Sequence, residues 1–125
     1  HNKAASAVFC RRFLSEDFHV ALIQEPWISK GKISGLSMTG VKIVSAQVEN
    51  ARTCIVVSNK VDSIPVLEFC CRDLATVRLM VAGTGRALLV ASSYLPYDDV
   101  ESTPSRELAA LVDHVGRSGS ELVVG

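Results

Sequence analysis

Apolar residues fall into short runs separated by turn-forming clusters, and two periods are visible. Val20-Ala21-Leu22-Ile23 is continuous, the pattern of a strand buried on both faces in a helix-covered sheet. It stops abruptly at Gln24-Glu25-Pro26-Trp27. Pro26 has no N–H to extend a ladder and biases the preceding residue toward extended geometry. Glu25 is therefore expected at the carboxyl end of a buried strand, the rim where ligands bind in open α/β sheets. Further β-rich runs cover 41–45, 53–58, 74–81 and 87–94. Partial alternation around Arg78 predicts antiparallel pairing for 74–81, whereas Ala87-Leu88-Leu89-Val90-Ala91 reads as central. Gly83-Thr84-Gly85 predicts a tight hairpin between these two runs.

The helical period appears twice. Ala5, Val8, Phe9 and Phe13 form one stripe over 3–14, with Asn2 as its N-cap and Lys3, Arg11 and Arg12 on the wet side. The second begins after Ser102, where Thr103 caps and Pro104 takes the first helical position. Its stripe is Leu108, Leu111, Val112 and Val115, with Gly116 and Gly119 as the stop. A strand over 122–124 then completes a β-loop-α-β crossover. Residues 28–40, rich in Ser, Gly and Lys, read as a loop. The sum is a mixed sheet with flanking helices, an α/β fold.

Composition narrows the class. At 125 residues and 48% hydrophobic content the chain builds a real core in one compact unit. Thirteen basic and thirteen acidic residues cancel, so any contact with nucleic acid rests on a local patch and not on a global field. The longest apolar runs fall far short of the roughly 20 residues that span a bilayer, and the opening residues carry no signal-peptide pattern. Cys10, Cys54 and the adjacent Cys70 and Cys71 contain no C-x-x-C, which suits reduced intracellular thiols better than a zinc site or a disulfide framework. An opening at His1 and a close on the strand-like Glu121-Leu122-Val123-Val124-Gly125 give the expectation of a fragment cut at both ends from a larger domain.

Candidate chemistry lies in four strings. A carboxylate fixed at a strand end, as at Glu25, suits a hard cation such as Mg²⁺; a solvated strand-end glutamate is the plainer alternative. Ser93-Tyr94-Leu95-Pro96 repeats that arrangement, placing a phenol at a strand end that could donate to a phosphate oxygen. Lys30 and Lys32, just past Trp27, could meet a nucleic-acid backbone. Asn59-Lys60-Val61-Asp62 matches the N-K-x-D of guanine-nucleotide-binding proteins, yet Gly31-Lys32 runs into Ile33 and supplies no phosphate loop. Turn residues are the better reading there.

The order "HNKAAS", "FHVALIQEPW", "ISGL", "CIVVSNKV", "EFCCRDLATVRL", "LLVASSYLPYD", "SRELAALVDHV" and "LVVG" resembles the first half of the endonuclease domain of insect-type non-LTR retrotransposons. The resemblance runs along nearly all 125 residues. That family is a branch of the endonuclease/exonuclease/phosphatase superfamily, with apurinic endonucleases and pancreatic deoxyribonuclease. It implies the first half of a four-layer, DNase I-like α/β sandwich and a Mg²⁺-dependent enzyme, Mn²⁺ being an alternative cofactor. Such an enzyme nicks DNA in the nucleus to prime a downstream reverse transcriptase. By resemblance, Glu25 holds the metal, Tyr94 contacts the scissile phosphate, and a His/Asp pair activates the attacking water.

Much of the family pattern is missing. The early strand asparagine would precede His1, so Asn2 receives no role, and the Asp-x-Asn motif would follow "LVVG". His1, His19 and His114 do not match the catalytic histidine. The expectation is a chain that binds metal weakly and does not nick by itself, with one sheet face left uncovered. The alternative is a non-catalytic interaction module derived from such an element.

Overall fold

The computed structural model describes residues 3–80, 85–94 and 106–125. In chain order the elements are α1 (Lys3–Ser15), β1 (Val20–Gln24), β2 (Ile28–Ser29), β3 (Lys32–Ile33), β4 (Val41–Val44), β5 (Thr53–Ser58) and β6 (Ser63–Pro65). A 3₁₀ turn (Leu67–Phe69), β7 (Leu74–Met80), β8 (Ala87–Ser93), α2 (Arg106–Ser118) and β9 (Glu121–Val124) follow.

Every residue of β5 is buried, and the fold is arranged about it. It lies between β1 and β4 in an antiparallel three-stranded sheet. A second sheet runs β6-β7-β8-β9, antiparallel except for the parallel β8–β9 pair. That pair brackets α2, as the expected crossover requires.

Alternation along the strands sorts side chains into three clusters. Ile55 and Val57 of β5 meet Val44, Ala75, Val77 and Val90 between the sheets. Their neighbours Cys54 and Val56 point the other way, against Phe13 of α1 and Leu36. Leu74, Leu89 and Ala91 pack against Leu108 and Leu111 of α2. Both sheets thus carry packed clusters on both faces among the described residues, where the sequence predicts one bare face, while Ile64 of β6 and Val123 and Val124 of β9 stay exposed at the edges of the second sheet. Burial also pushes the Cys54 thiol up to about 12, which makes it a core side chain and not a nucleophile. The four cysteines are unpaired.

The strands at 41–44, 53–58, 74–80 and 87–93 and both helices lie close to their sequence-predicted positions. Other expectations are corrected. Val20–Gln24 packs on both faces but is only half-buried, because it is an edge strand with β5 as its one ladder partner. Residues 28–40 contain the β2–β3 hairpin, whose turn residues Lys30 and Gly31 both have positive φ, as a type I′ turn demands. The buried face of α1 is Ser6, Phe9, Cys10 and Phe13; Val8 is 52% exposed. Close approach explains this rotation: a Cβ on Gly35 would lie 2.8 Å from Ser6 Cβ and 2.9 Å from Trp27, so the helix can seat only a small side chain there. Val112, at the margin of its stripe, faces solvent. Gly116 lies inside α2, and Gly119, at φ +71°, follows its last residue. Asn2, Gly83-Thr84, Leu95-Pro96 and the Thr103-Pro104 cap lie outside the described residues.

Candidate active site

β1 and β8 belong to different sheets yet finish at the same edge of the sandwich, tied by a polar thread that runs from the exposed Gln24 to the buried Ser92 and Thr53. Gln24 Nε2 donates to Ser92 Oγ at 2.9 Å. Ser92 Oγ lies 2.5 Å from Thr53 Oγ1, which donates to the Ile23 carbonyl at 3.1 Å. With Ser92 donating to Thr53, each hydroxyl proton has an acceptor, so the fully buried Thr53 and Ser92 carry no unmet donor. The thread crosses from one sheet to the other one residue before Glu25 and two before Tyr94.

Glu25 leaves the ladder sharply. Its φ is +49°, in the left-handed region, and its N–H donates to the Arg52 carbonyl at 2.8 Å. This corrects the extended geometry expected ahead of Pro26: the bond to Arg52 outweighs the preference. The conformation is costly for a non-glycine residue, and such strain gathers where a side chain must be aimed. Here the exposed carboxylate is aimed at Tyr94, whose hydroxyl donates to Glu25 Oε1 at 3.0 Å. The carboxylate raises the phenol above its ordinary pKa, because ionisation would forfeit that bond and set two anions together; the Arg52 cation opposes the shift. Tyr94 thus keeps its proton as a hydrogen-bond donor.

Two residues that the sequence did not single out complete the cluster. The Arg52 guanidinium carbon lies 4.6 Å from the Tyr94 ring centroid. Its Nε and one terminal nitrogen donate to Asp73 Oδ1 and Oδ2, each at 2.6 Å. Asp73 in turn accepts the Tyr94 N–H at its main-chain carbonyl, 2.9 Å away. Both residues immediately precede buried strands, β5 and β7, whose antiparallel register brings those strand starts to the ends of β1 and β8. That position was the signal available.

A hard cation fits the donor chemistry at Glu25, since Mg²⁺ is usually held by one or two carboxylates plus waters and substrate phosphates. Glu25 supplies one carboxylate, and no group of three or more His, Cys, Asp or Glu side chains able to hold a metal exists among the described residues.

The structure brings Glu25 and Tyr94 together but leaves Lys30 and Lys32 apart from them, exposed on the β2–β3 hairpin. A shallow groove of about 380 Å³ runs past Glu25, Trp27, Glu49 and Arg52. Glu49 also lines the neighbouring groove, which contains Lys32. His19 precedes β1 at the end opposite Glu25, and the His114 ring packs 5.0 Å from Phe69. Asn59 and Lys60 form a turn in which Ser58 Oγ accepts the Lys60 N–H, while Lys60 Nζ pairs with Asp17 at 2.6 Å. The N-K-x-D string is therefore a strand connection.

Among the described residues the arrangement is mixed α/β, with two facing sheets and two helices. Among solved structures the chain is similar to the endonuclease domain of TRAS1, a telomere-specific non-LTR retrotransposon, at 17% identity and a TM-score of 0.67. The match covers 98% of this chain and 51% of the solved one, so the chain spans about half of that domain's length. No protein-family model matches the chain, and no curated protein matches it.

Proposed function

We propose that the chain is the first half of a four-layer endonuclease domain that nicks DNA for a non-LTR retrotransposon, with reverse transcription primed from the nick. The observation that carries this reading is the Tyr94–Glu25 hydrogen bond, 3.0 Å long, joining strand ends from two sheets. A carboxylate and a protonated phenol at one rim are what a phosphodiester substrate needs: one group to hold a cation, one to donate to a phosphate oxygen. The cation, Mg²⁺ or Mn²⁺, supplies neutralisation of charge on the phosphate and the leaving oxygen when bound. Glu25 binds it and Tyr94 orients the phosphate, while Lys30 and Lys32, exposed on the β2–β3 hairpin away from that pair, contact the nucleic-acid backbone at a distance from the reacting phosphate. The setting is nuclear, where the target DNA is.

No histidine among the described residues stands beside Glu25, and general-base catalysis contributes about 10²–10⁴-fold in such reactions. The expected nicking protein is therefore one that joins this chain to the second half of the domain. In such a protein Tyr94→Phe keeps the ring over Arg52 and removes only the donor. It is expected to slow Mg²⁺-dependent plasmid nicking by about 10²-fold, the scale of one lost transition-state donor. Undiminished nicking would remove Tyr94 from the chemistry. A non-catalytic interaction module would show no nicking with either residue.

A further inference from the structure

We propose that Arg52, clamped by Asp73, is a positioning residue that holds the Tyr94 ring against Glu25. The inference rests on the Glu25–Tyr94 pair being the functional site and adds the device that assembles it. Four residues close a ring of contacts. The Arg52 carbonyl accepts the Glu25 N–H, and the Arg52 guanidinium lies under the Tyr94 ring. Asp73 holds that guanidinium through both carboxylate oxygens, and its own carbonyl accepts the Tyr94 N–H. Residue 52 thus touches both members of the pair, one through main chain and one through side chain.

The charged groups around the phenol are Glu25, Arg52 and Asp73, with Arg72 Nε 3.5 Å from Asp73. The pair is partly buried, with Arg52 29% and Asp73 23% exposed, and its charge attraction alone does not fix where the ring lies. The bidentate fork adds geometry instead: a planar guanidinium held at two points cannot rotate away from the ring stacked on it. A lysine would carry the same charge without that plane. The stack restrains a ring that β8 itself does not reach, since the strand ends at Ser93.

The test uses the 125-residue chain without DNA or metal. Tyr97→Phe leaves Tyr94 as the one tyrosine, and its Cζ is labelled with ¹³C. At neutral pH, Glu25→Gln removes the negative charge from the acceptor of the phenol hydrogen bond and so displaces the Cζ resonance. With Arg52→Lys, that displacement is expected to fall by more than half, and Asp73→Asn is expected to reduce it as well. Unchanged amide spectra of β5 and β8 establish that each variant is folded, and Asp73→Asn serves alone should Arg52→Lys not fold. A full displacement in a folded Arg52→Lys or Asp73→Asn variant would overturn the proposal. Because no nicking is measured, failure here leaves the nuclease reading intact, and failure of Glu25→Gln to affect nicking leaves the positioning result intact.

Discussion

Glu25→Gln is expected to lower Mg²⁺-dependent nicking about a thousandfold in a protein carrying both halves of the domain, with the fold unchanged. Glutamine keeps the size of the side chain and its ability to accept from Tyr94, and loses only the negative charge. A bound metal supplies several kcal/mol of transition-state stabilisation. Losing about 4 kcal/mol of it corresponds to roughly three powers of ten in rate. The exposed carboxylate makes no core contact, so thermal unfolding should be nearly that of the parent. Nicking within about threefold of the parent, on the same scale of 1.36 kcal/mol per tenfold, would take Glu25 out of the mechanism.

Ile55→Ala is expected to cost about 2–5 kcal/mol of unfolding free energy, measured by urea denaturation. Ile55 is fully buried between the sheets, alongside Val44, Ala75, Val77 and Val90. Removing its outer carbons leaves a cavity that two sheets, each held by its own ladder, close only partly. Against a total of about 5–15 kcal/mol for ordinary domains, that is a large share. Val112→Ala, at a side chain 50% exposed, should stay within about 0.5 kcal/mol. A loss below about 1 kcal/mol at Ile55 would contradict the close packing of the two sheets.

Glu25 and Tyr94 are legible in the chain because each closely follows an apolar run, Val20 to Ile23 and Ala87 to Ala91, and lies one or two residues ahead of a proline, so one-dimensional pattern alone puts them at strand ends. Arg52 and Asp73 are not, because they are 21 residues apart and precede strands of two different sheets, β5 paired with β1 and β7 paired with β8, which meet only when the sheets pack. Antiparallel pairing would have located them: if β5 runs against β1, the residue just before β5 lies beside the residue just after β1. The half-burial of β1 is not legible, because four apolar residues in a row look alike in a central strand and in an edge strand packed on both faces. The left-handed backbone of Glu25 is not legible either, because it comes with a long-range hydrogen bond to Arg52 that local preference does not register. The turn of α1 toward Ser6 depends on the absent side chain of Gly35, which hydrophobic periodicity does not register.

The central claim is that Glu25 and Tyr94 serve one divalent ion. Mn²⁺, added in small amounts to the chain with its Tyr94 ring labelled, tests this through paramagnetic broadening, which even weak, rapidly exchanging binding produces. Early, selective broadening of the Tyr94 ring resonances is expected, and its loss in Glu25→Gln. Equal broadening in Glu25→Gln, or a Tyr94 signal untouched while others broaden, would contradict it.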